Sequence, residues 1–405
     1  MSFKYKQYKK RLQGKIYGYG NASHAFYDVM VWIQNNRPRK KPNIVMPVYI
    51  PAKLYRFVLA AGFQPVFYDV NSDFGFDANQ VAGLIDDQTQ AVFAVHYFGI
   101  PAPVKELKAL TKKAKVFLIE DCAHTLNSRF DGTELGTAGD CAIFSIRKMM
   151  QLSAGGFLVL NNPGFCKSEF RPTYKIKVRS FFTAYHLMIS RMKYAYFAFT
   201  KGHDPLNLAW VPRTGYINFS EQHNVTTRGI SHLSEWYLKM ADLDKIAKRR
   251  RFNYEFLLNV VSELTSLELA YPKTHHESMI NGNGIKLGLK SGITPYCFPV
   301  ITSSEASRSE LRELLREAGI GCGAGWPEAP FHHHQYTRTK YLSQRLLELP
   351  VHQGITIYQL QRMAVALQSF EASTLGAASN RKKPARYSEE KNYDQYKTVP
   401  GTDIS

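Results

Sequence analysis

The sequence lacks any run of eighteen uncharged apolar residues, so no helix able to span a bilayer is expected. Its basic beginning, Met1 to Lys6, is followed by no apolar stretch, so no secretory signal is expected. Cysteine is scarce: Cys122, Cys141, Cys166, Cys297 and Cys322 are odd in number and form no C-x-x-C pair. That argues against a disulfide framework or a zinc site and suits reduced thiols in the cytoplasm. The run His332-His333-His334 has no cysteine or acid at a familiar ligand spacing, so no metal is expected. Acids are outnumbered, with 33 Asp and Glu against 52 Lys and Arg, for a net charge of +19. A surface this basic attracts phosphates. Basic clusters stand at Lys4–Arg11, Arg37–Lys41, Lys248–Arg251 and Arg381–Arg386, but no nucleic-acid motif accompanies them. They read mostly as solvated faces.

What is present is a chain of 405 residues, 44% apolar, long enough for two domains with their own cores. Apolar strand patterns alternate with helical ones from Asn43 to Leu160. The strands include Asn43–Pro47, Pro65–Val70 and Gln90–His96; helices are expected over Ala52–Gly62, Ala78–Ile85 and Val104–Ala114. This β-α alternation predicts an α/β fold with a mostly parallel sheet covered on both faces. In such sheets ligands bind beyond the carboxyl ends of the strands. The segment Phe117-Leu-Ile-Glu-Asp-Cys-Ala-His124 is a buried strand with an acid at that end. A second strand, Cys141-Ala-Ile-Phe144, leads to Ser145, Arg147 and Lys148, and Gly155-Gly156 follows. Asp121, His124, Ser145 and Lys148 can therefore reach one crevice.

Those four side chains suit pyridoxal phosphate. A lysine amine forms a Schiff base with its aldehyde, and a carboxylate keeps its pyridine nitrogen protonated. The imidazole can bond the ring hydroxyl, and the serine the phosphate. Spacing alone leaves an ordinary surface pair of Asp121 and Lys148 equally open.

The segment resembles the DegT/StrS-type sugar aminotransferases (the DegT/DnrJ/EryC1/StrS family), which carry an acid, small residues and a Gln or His, then Phe-Ser, the cofactor lysine, six residues and Gly-Gly. Asp121-Cys122-Ala123-His124, Phe144-Ser145, Lys148 and Gly155-Gly156 stand in that register, with Ile146-Arg147 replacing the usual residues before the lysine. The resemblance implies a fold type I architecture, with a large cofactor domain and a smaller C-terminal α/β domain. It implies pyridoxal 5'-phosphate as cofactor, a nucleotide-linked ketosugar as acceptor, an amino acid donor such as glutamate, and a homodimer. Lys148 would be the catalytic amine and Asp121 its ring-nitrogen partner. Relatives that dehydrate sugars resemble the family with histidine at the lysine position, which Lys148 contradicts; a non-catalytic, membrane-tethered scaffold is the other alternative.

The same resemblance points to five further positions. Ala22 and Ser23 match the family's Gly-Thr-x-Ala phosphate segment, although Ser23 could equally be an N-cap. Tyr49 stands where an aromatic residue stacks on the cofactor ring, with core packing as the alternative. His96, in a Val-His-x-x-Gly match, is expected beneath the site. Arg228 matches the arginine of an Asn-Tyr-Arg substrate motif whose asparagine is not evident here.

The expected domains are 1–235, carrying a basic aromatic insertion at 163–225, then 236–371 with a linker helix, and a disordered tail at 372–405. Within the insertion Phe181, Tyr185, Met188, Ile189, Met192, Tyr196 and Phe199 share one helical face, flanked by Lys175, Lys177, Arg179, Arg191 and Lys193. That face suits packing on this or a partner subunit; its second reading is peripheral membrane contact through 175–200. Farther on, one long helix is expected over Ser231–Val261, a strand over Thr294–Ile301 and a capping box at Ser307-x-x-Glu310. Gly319-Ile320 should lead to another strand and a Trp326-Pro327 turn, and Thr356-x-x-Gln359 should cap a last helix, Ile357–Phe370.

Overall fold

The computed structural model describes residues 12, 14–150, 152, 154–161, 169–181, 184–185, 188–189, 192, 225–270, 275–281, 284–326 and 335–376. The frame is a seven-stranded sheet. Its first strand, β1 (Lys15–Tyr19), leads into α1 (Ala22–Asn36), β2 (Asn43–Pro47), α2 (Ala52–Ala60), β3 (Gln64–Tyr68), α3 (Ala78–Leu84), β4 (Thr89–Val95) and α4 (Val104–Ala114). Then come β5 (Phe117–Cys122), a small hairpin of β6 (Arg129–Phe130) and β7 (Thr133–Glu134), β8 (Cys141–Phe144), the short α5 (Ile146–Met150) and β9 (Gly156–Leu160). The strand order is β1-β9-β8-β5-β4-β2-β3. β3, β2, β4, β5 and β8 are mutually parallel, β9 runs against β8, and β1 runs against β9. β1 therefore points the same way as the parallel strands, and the start of α1 lies at their carboxyl edge. Every residue of β2, β4, β8 and β9 is buried, as unbroken apolar runs require when both faces are covered.

The second half begins with α6 (His232–Met240) and α7 (Leu243–Val261), followed by β10 (Leu267–Leu269) and the hairpin of β11 (His276–Asn281) and β12 (Gly284–Leu289). It ends with β13 (Cys297–Thr302), α8 (Glu305–Glu317), α9 (Thr337–Arg345), β14 (Leu346–Pro350) and α10 (Ile357–Gly376). β10, β13 and β14 form an antiparallel three-stranded sheet. One apolar cluster runs through both halves, from Val45 and Phe93 to Phe298 and Leu349.

Several boundaries differ from expectation. The helix expected over Ser231–Val261 is two helices, because Ala241 is extended and Asp242 caps α7 by accepting the Lys245 N–H. The cap of α8 is Ser304, accepting from Ser307 N, one turn before the expected box. The Thr356–Gln359 box is present, but α10 runs on to Gly376, six residues past its expected end and through the start of the expected tail. Over Ile320–Trp326 there is no strand, only a bridge from Gly323 to Glu348 on β14. Of the insertion, Ile176, Phe181, Tyr185, Met188 and Met192 are exposed, as are Trp236 and Met240 on α6. Arg191, Lys193, Tyr196, Phe199, His332–His334, Lys4–Arg11 and residues 377–405 lie outside the described residues. Among the described residues no helix is long and apolar enough to cross a membrane.

The Lys248–Arg251 cluster is not a solvated face. Arg250 is 1% exposed and donates to Gln353 Oε1 at 3.0 Å and to the carbonyls of Pro295, Tyr296 and Met149 at 3.0–3.2 Å. Arg251 donates to the carbonyls of Leu289, Lys290 and Ile293. A buried guanidinium needs its donors satisfied, and these carbonyls do that. Arg250→Met should take the guanidinium donors from the Pro295, Tyr296 and Met149 carbonyls and cost about 3 kcal/mol or more, read as a lower urea midpoint at unchanged slope.

Candidate active site

Asp121 and Lys148 meet at the carboxyl edge of the large sheet. Asp121 is the penultimate residue of β5, and its Oδ1 accepts the Ala123 N–H at 2.8 Å. Among the described residues Oδ2 has no hydrogen bond. Burial raises the Asp121 pKa, opposed mainly by the Lys148 charge. β8 ends at Phe144, Ser145 is buried behind it, and Lys148 sits in the single turn of α5. Asp121, Lys148, Tyr296, Trp326 and Glu348 keep partial solvent access although packed deep, so they line a recess.

His124 fixes the protonation pattern. Its Nδ1 accepts the Phe98 N–H at 3.1 Å, so the neutral ring carries its proton on Nε2. Nε2 lies 2.7 Å from Lys148 Nζ. The ring therefore donates, and the amine accepts only when neutral. Burial, then the Lys148 charge, hold the imidazole well below its ordinary range. Burial is also the largest cause pushing Lys148 down to about 8, with Asp121 opposing and Arg147 assisting. His124 is clamped by flat stacking on Tyr296, at 4.4 Å and 3°, with Phe98 and Trp326 stacked at 5.8 and 5.9 Å.

The start of α1 faces the same edge. Asn21, not Ser23, is its N-cap, accepting from His24 N at 2.9 Å. Ala22 and Ser23 are thus the first two helical residues, whose N–H groups have no helical partner and sit at the positive end of the dipole. A Cβ on Gly156 would lie 2.5 Å from Ala22 N and 3.0 Å from Phe144 O, so the helix start and the end of β8 meet there. Arg228 is brought to the same place: its N–H donates to His24 Nδ1 at 3.2 Å and its carbonyl accepts from Gly20 N at 2.7 Å. Burial, with Lys53 and Arg228 nearby, pushes His24 down to about 4. Lys53 is lowered by burial and by the charges of Arg147 and Arg56. These cations give the approach a positive field.

Tyr49 is fully buried and packs edge-on against Trp326 at 5.0 Å, with Tyr97 and Phe74 behind it, so core packing is its observed role. His96 is buried beneath the site, bonded to Glu120 at 2.9 Å and to Ala102 N at 3.0 Å. Sequence reasoning missed Tyr296, Trp326 and Glu348 as site residues. A lone acid inside Leu346-Leu347-Glu348-Leu349 was the available signal for the last.

Residues 29–171 match the model of the DegT/DnrJ/EryC1/StrS aminotransferase family. This stretch of the chain is DegT/DnrJ/EryC1/StrS-like, as its sequence resemblance implied. A UDP-N-acetyl-3-dehydro-alpha-D-glucosamine 3-aminotransferase of Acidithiobacillus ferrooxidans is 34% identical over 116 residues, 28% of this chain and 31% of that protein. The GDP-perosamine synthase of Escherichia coli O157:H7 is 28% identical over 122 residues, 29% of this chain and 34% of that protein. The chain thus spans about a third of the length of the curated relatives it matches. Solved structures extend the likeness at the level of fold. The aminotransferase TlmJ from Streptoalloteichus hindustanus superposes with a TM-score of 0.62 at 18% identity, over 89% of this chain and 86% of that one. Helicobacter pylori PseC, an aminotransferase involved in pseudaminic acid biosynthesis, gives 0.62 at 16% identity, over 89% and 87%. The fold is that of these two aminotransferase structures, a mostly parallel α/β sheet with a smaller sheet beside it.

An amine held near 8 reacts at lower pH than a surface lysine. In competitive acylation read by mass spectrometry, Lys148 should label half-maximally near pH 8, about two pH units below an ordinary surface lysine.

Proposed function

We propose that the chain is a pyridoxal phosphate-dependent aminotransferase converting a nucleotide-linked ketosugar to an amino sugar, with an amino acid such as glutamate as donor. One observation carries the reading: a lysine amine whose pKa is pushed down to about 8, 2.7 Å from the Nε2 of the His124 imidazole, shares a recess with a deep carboxyl at the carboxyl edge of a parallel sheet. The residues fit the group. Asp121 Oδ2 is available for a protonated pyridine nitrogen, whose charge would reverse the upward shift of the carboxyl. His124 presents a donor suited to the ring oxygen. The Ala22 and Ser23 amides at the start of α1, with the Ser145 hydroxyl, suit the phosphate.

When bound, the cofactor supplies an electron sink for the charge left on a carbon that loses its proton. The protein does the rest. The Lys148 amine would be the group that holds the cofactor's aldehyde carbon and, when free, would carry a proton between the donor's α-carbon and that carbon, across the nitrogen that separates them. Asp121 holds the opposite charge to the ring nitrogen, and His124 orients the ring. Arg228, with Lys53 and Arg147, draws the diphosphate of the acceptor toward the mouth. Lysine rather than histidine at 148 favours this reaction over dehydration.

The reading includes a homodimer in the cytoplasm. The exposed Trp236 and Met240, with Ile176, Phe181 and Met188, supply apolar surface for a second copy. Light scattering at twice the chain mass, with no co-flotation on anionic vesicles, is the expected result; flotation would favour membrane contact through 175–200. Wild type should bind pyridoxal phosphate with a visible absorbance lost in Lys148→Ala, and should form 2-oxoglutarate from glutamate. Asp121→Asn should lower kcat by ~10²-fold or more while retaining the cofactor. Visible absorbance surviving in Lys148→Ala would remove the lysine from this role.

A further inference from the structure

Glu348 is an acid lining the site that the proposed reaction leaves unused. It stands on β14, bridged to the segment that leads from Gly323 to Trp326. Trp326 stacks on His124 at 5.9 Å, and His124 Nε2 lies 2.7 Å from Lys148 Nζ, so the acid comes to the site from the three-stranded sheet, whereas Asp121 and Lys148 come from the large one. Its backbone is bridged to Gly323, with N–H···O distances of 2.7 and 3.1 Å, and its carboxyl accepts the Gly325 N–H. A Cβ on Gly323 would lie 2.9 Å from its Oε2, so the carboxyl is seated against that segment. From there its charge acts on Lys148, Tyr296, Cys297 and Tyr49. Burial pushes the acid up to about 7, and the Lys148 charge opposes this.

Other groups face Lys148 from each side. Asp121 on β5 favours the ammonium form, as Glu348 does, while Arg147 on its own helix disfavours it. His124 offers Nε2–H, which the neutral amine accepts. The Tyr296 ring lies 6.0 Å from Nζ, and the Tyr296 hydroxyl and Cys297 thiol are both pushed up by burial, so they stay neutral. If Asp121 is committed to the pyridine nitrogen, a cation offsets its charge. Glu348 is then the carboxyl left to support a protonated amine.

We propose that Glu348 is a positioning residue that sets how firmly Lys148 holds its proton during turnover, acting across the recess from the small sheet. The proposal rests on the cofactor reading above for Asp121. Its first test does not, because it uses the cofactor-free protein.

Competitive acylation of Lys148 against pH is measured in wild type, Glu348→Gln and Glu348→Asp. Removing the carboxylate withdraws support from the ammonium, so the lysine should lose its proton at lower pH. A downward shift of about one pH unit is expected in Glu348→Gln, with Glu348→Asp between it and wild type. In the loaded enzyme the acid limb of kcat should move the same way, since that limb reports groups in the substrate complex. Should Glu348→Gln fail to fold, Lys148→Met gives the reciprocal reading: the infrared band of the protonated Glu348 carboxyl, assigned by its shift in Lys148→Met/Glu348→Asp, should persist to higher pH than in wild type. Identical Lys148 titrations in all three proteins, or a raised KM with an unmoved acid limb, would overturn the proposal. A wild type that binds no cofactor would overturn the proposed function and still leave the acylation result readable.

Discussion

An amine kept out of bulk water is the constraint on which this molecule turns. Burial alone disfavours the ammonium of Lys148, and each neighbour either adds to that effect or opposes it. His124 adds to it through its tautomer, which is set by one backbone N–H from Phe98. Phe98 itself has a left-handed backbone, φ 55°, rare for a residue with a side chain. The strain is held by its surroundings: the Phe98 carbonyl accepts from Tyr296 N at 2.6 Å, and the Tyr296 ring lies flat on His124. The same short loop thus aims a donor at the imidazole and fastens the two halves together.

That fastening is polar as well as apolar. Thr294 donates its N–H to Ser128 Oγ and its hydroxyl to the Asn127 carbonyl. Arg250 and Gln353 both donate to the Met149 carbonyl, one residue after Lys148. The single turn bearing the amine is too short to hold its own place by helical hydrogen bonds. It is held by a guanidinium from α7 and an amide from the loop after β14, so the position of Nζ depends on the whole second half of the chain.

Much of this was legible in the sequence because it is local. Asp121 and Lys148 stand at the ends of apolar strands, and the β-α alternation puts those ends on one edge. The boundaries of β2 and α4 could be read to the residue from apolar periodicity alone. Caps were harder: the box expected at Ser307 is not the start of α8, which Ser304 caps instead. Asn21, rather than Ser23, caps α1 because its amide oxygen reaches the His24 N–H. Long-range partners were not legible. Arg250 looks like one of four cations on a wet helix, and only the fold shows three carbonyls and an amide around it. Glu348 is 200 residues from Lys148, and Tyr49 could have faced either way until the aromatic cluster around Trp326 formed.

Gly156 shows how little room the anion-facing corner has. The backbones of Asn21, Ala22 and Phe144 come so near that even one added carbon would collide with main chain rather than with a side chain able to swing aside. Alanine there, the mildest enlargement the genetic code allows, would push the start of α1 away from the end of β8. The phosphate site proposed at this corner would thus depend partly on an absent methyl group.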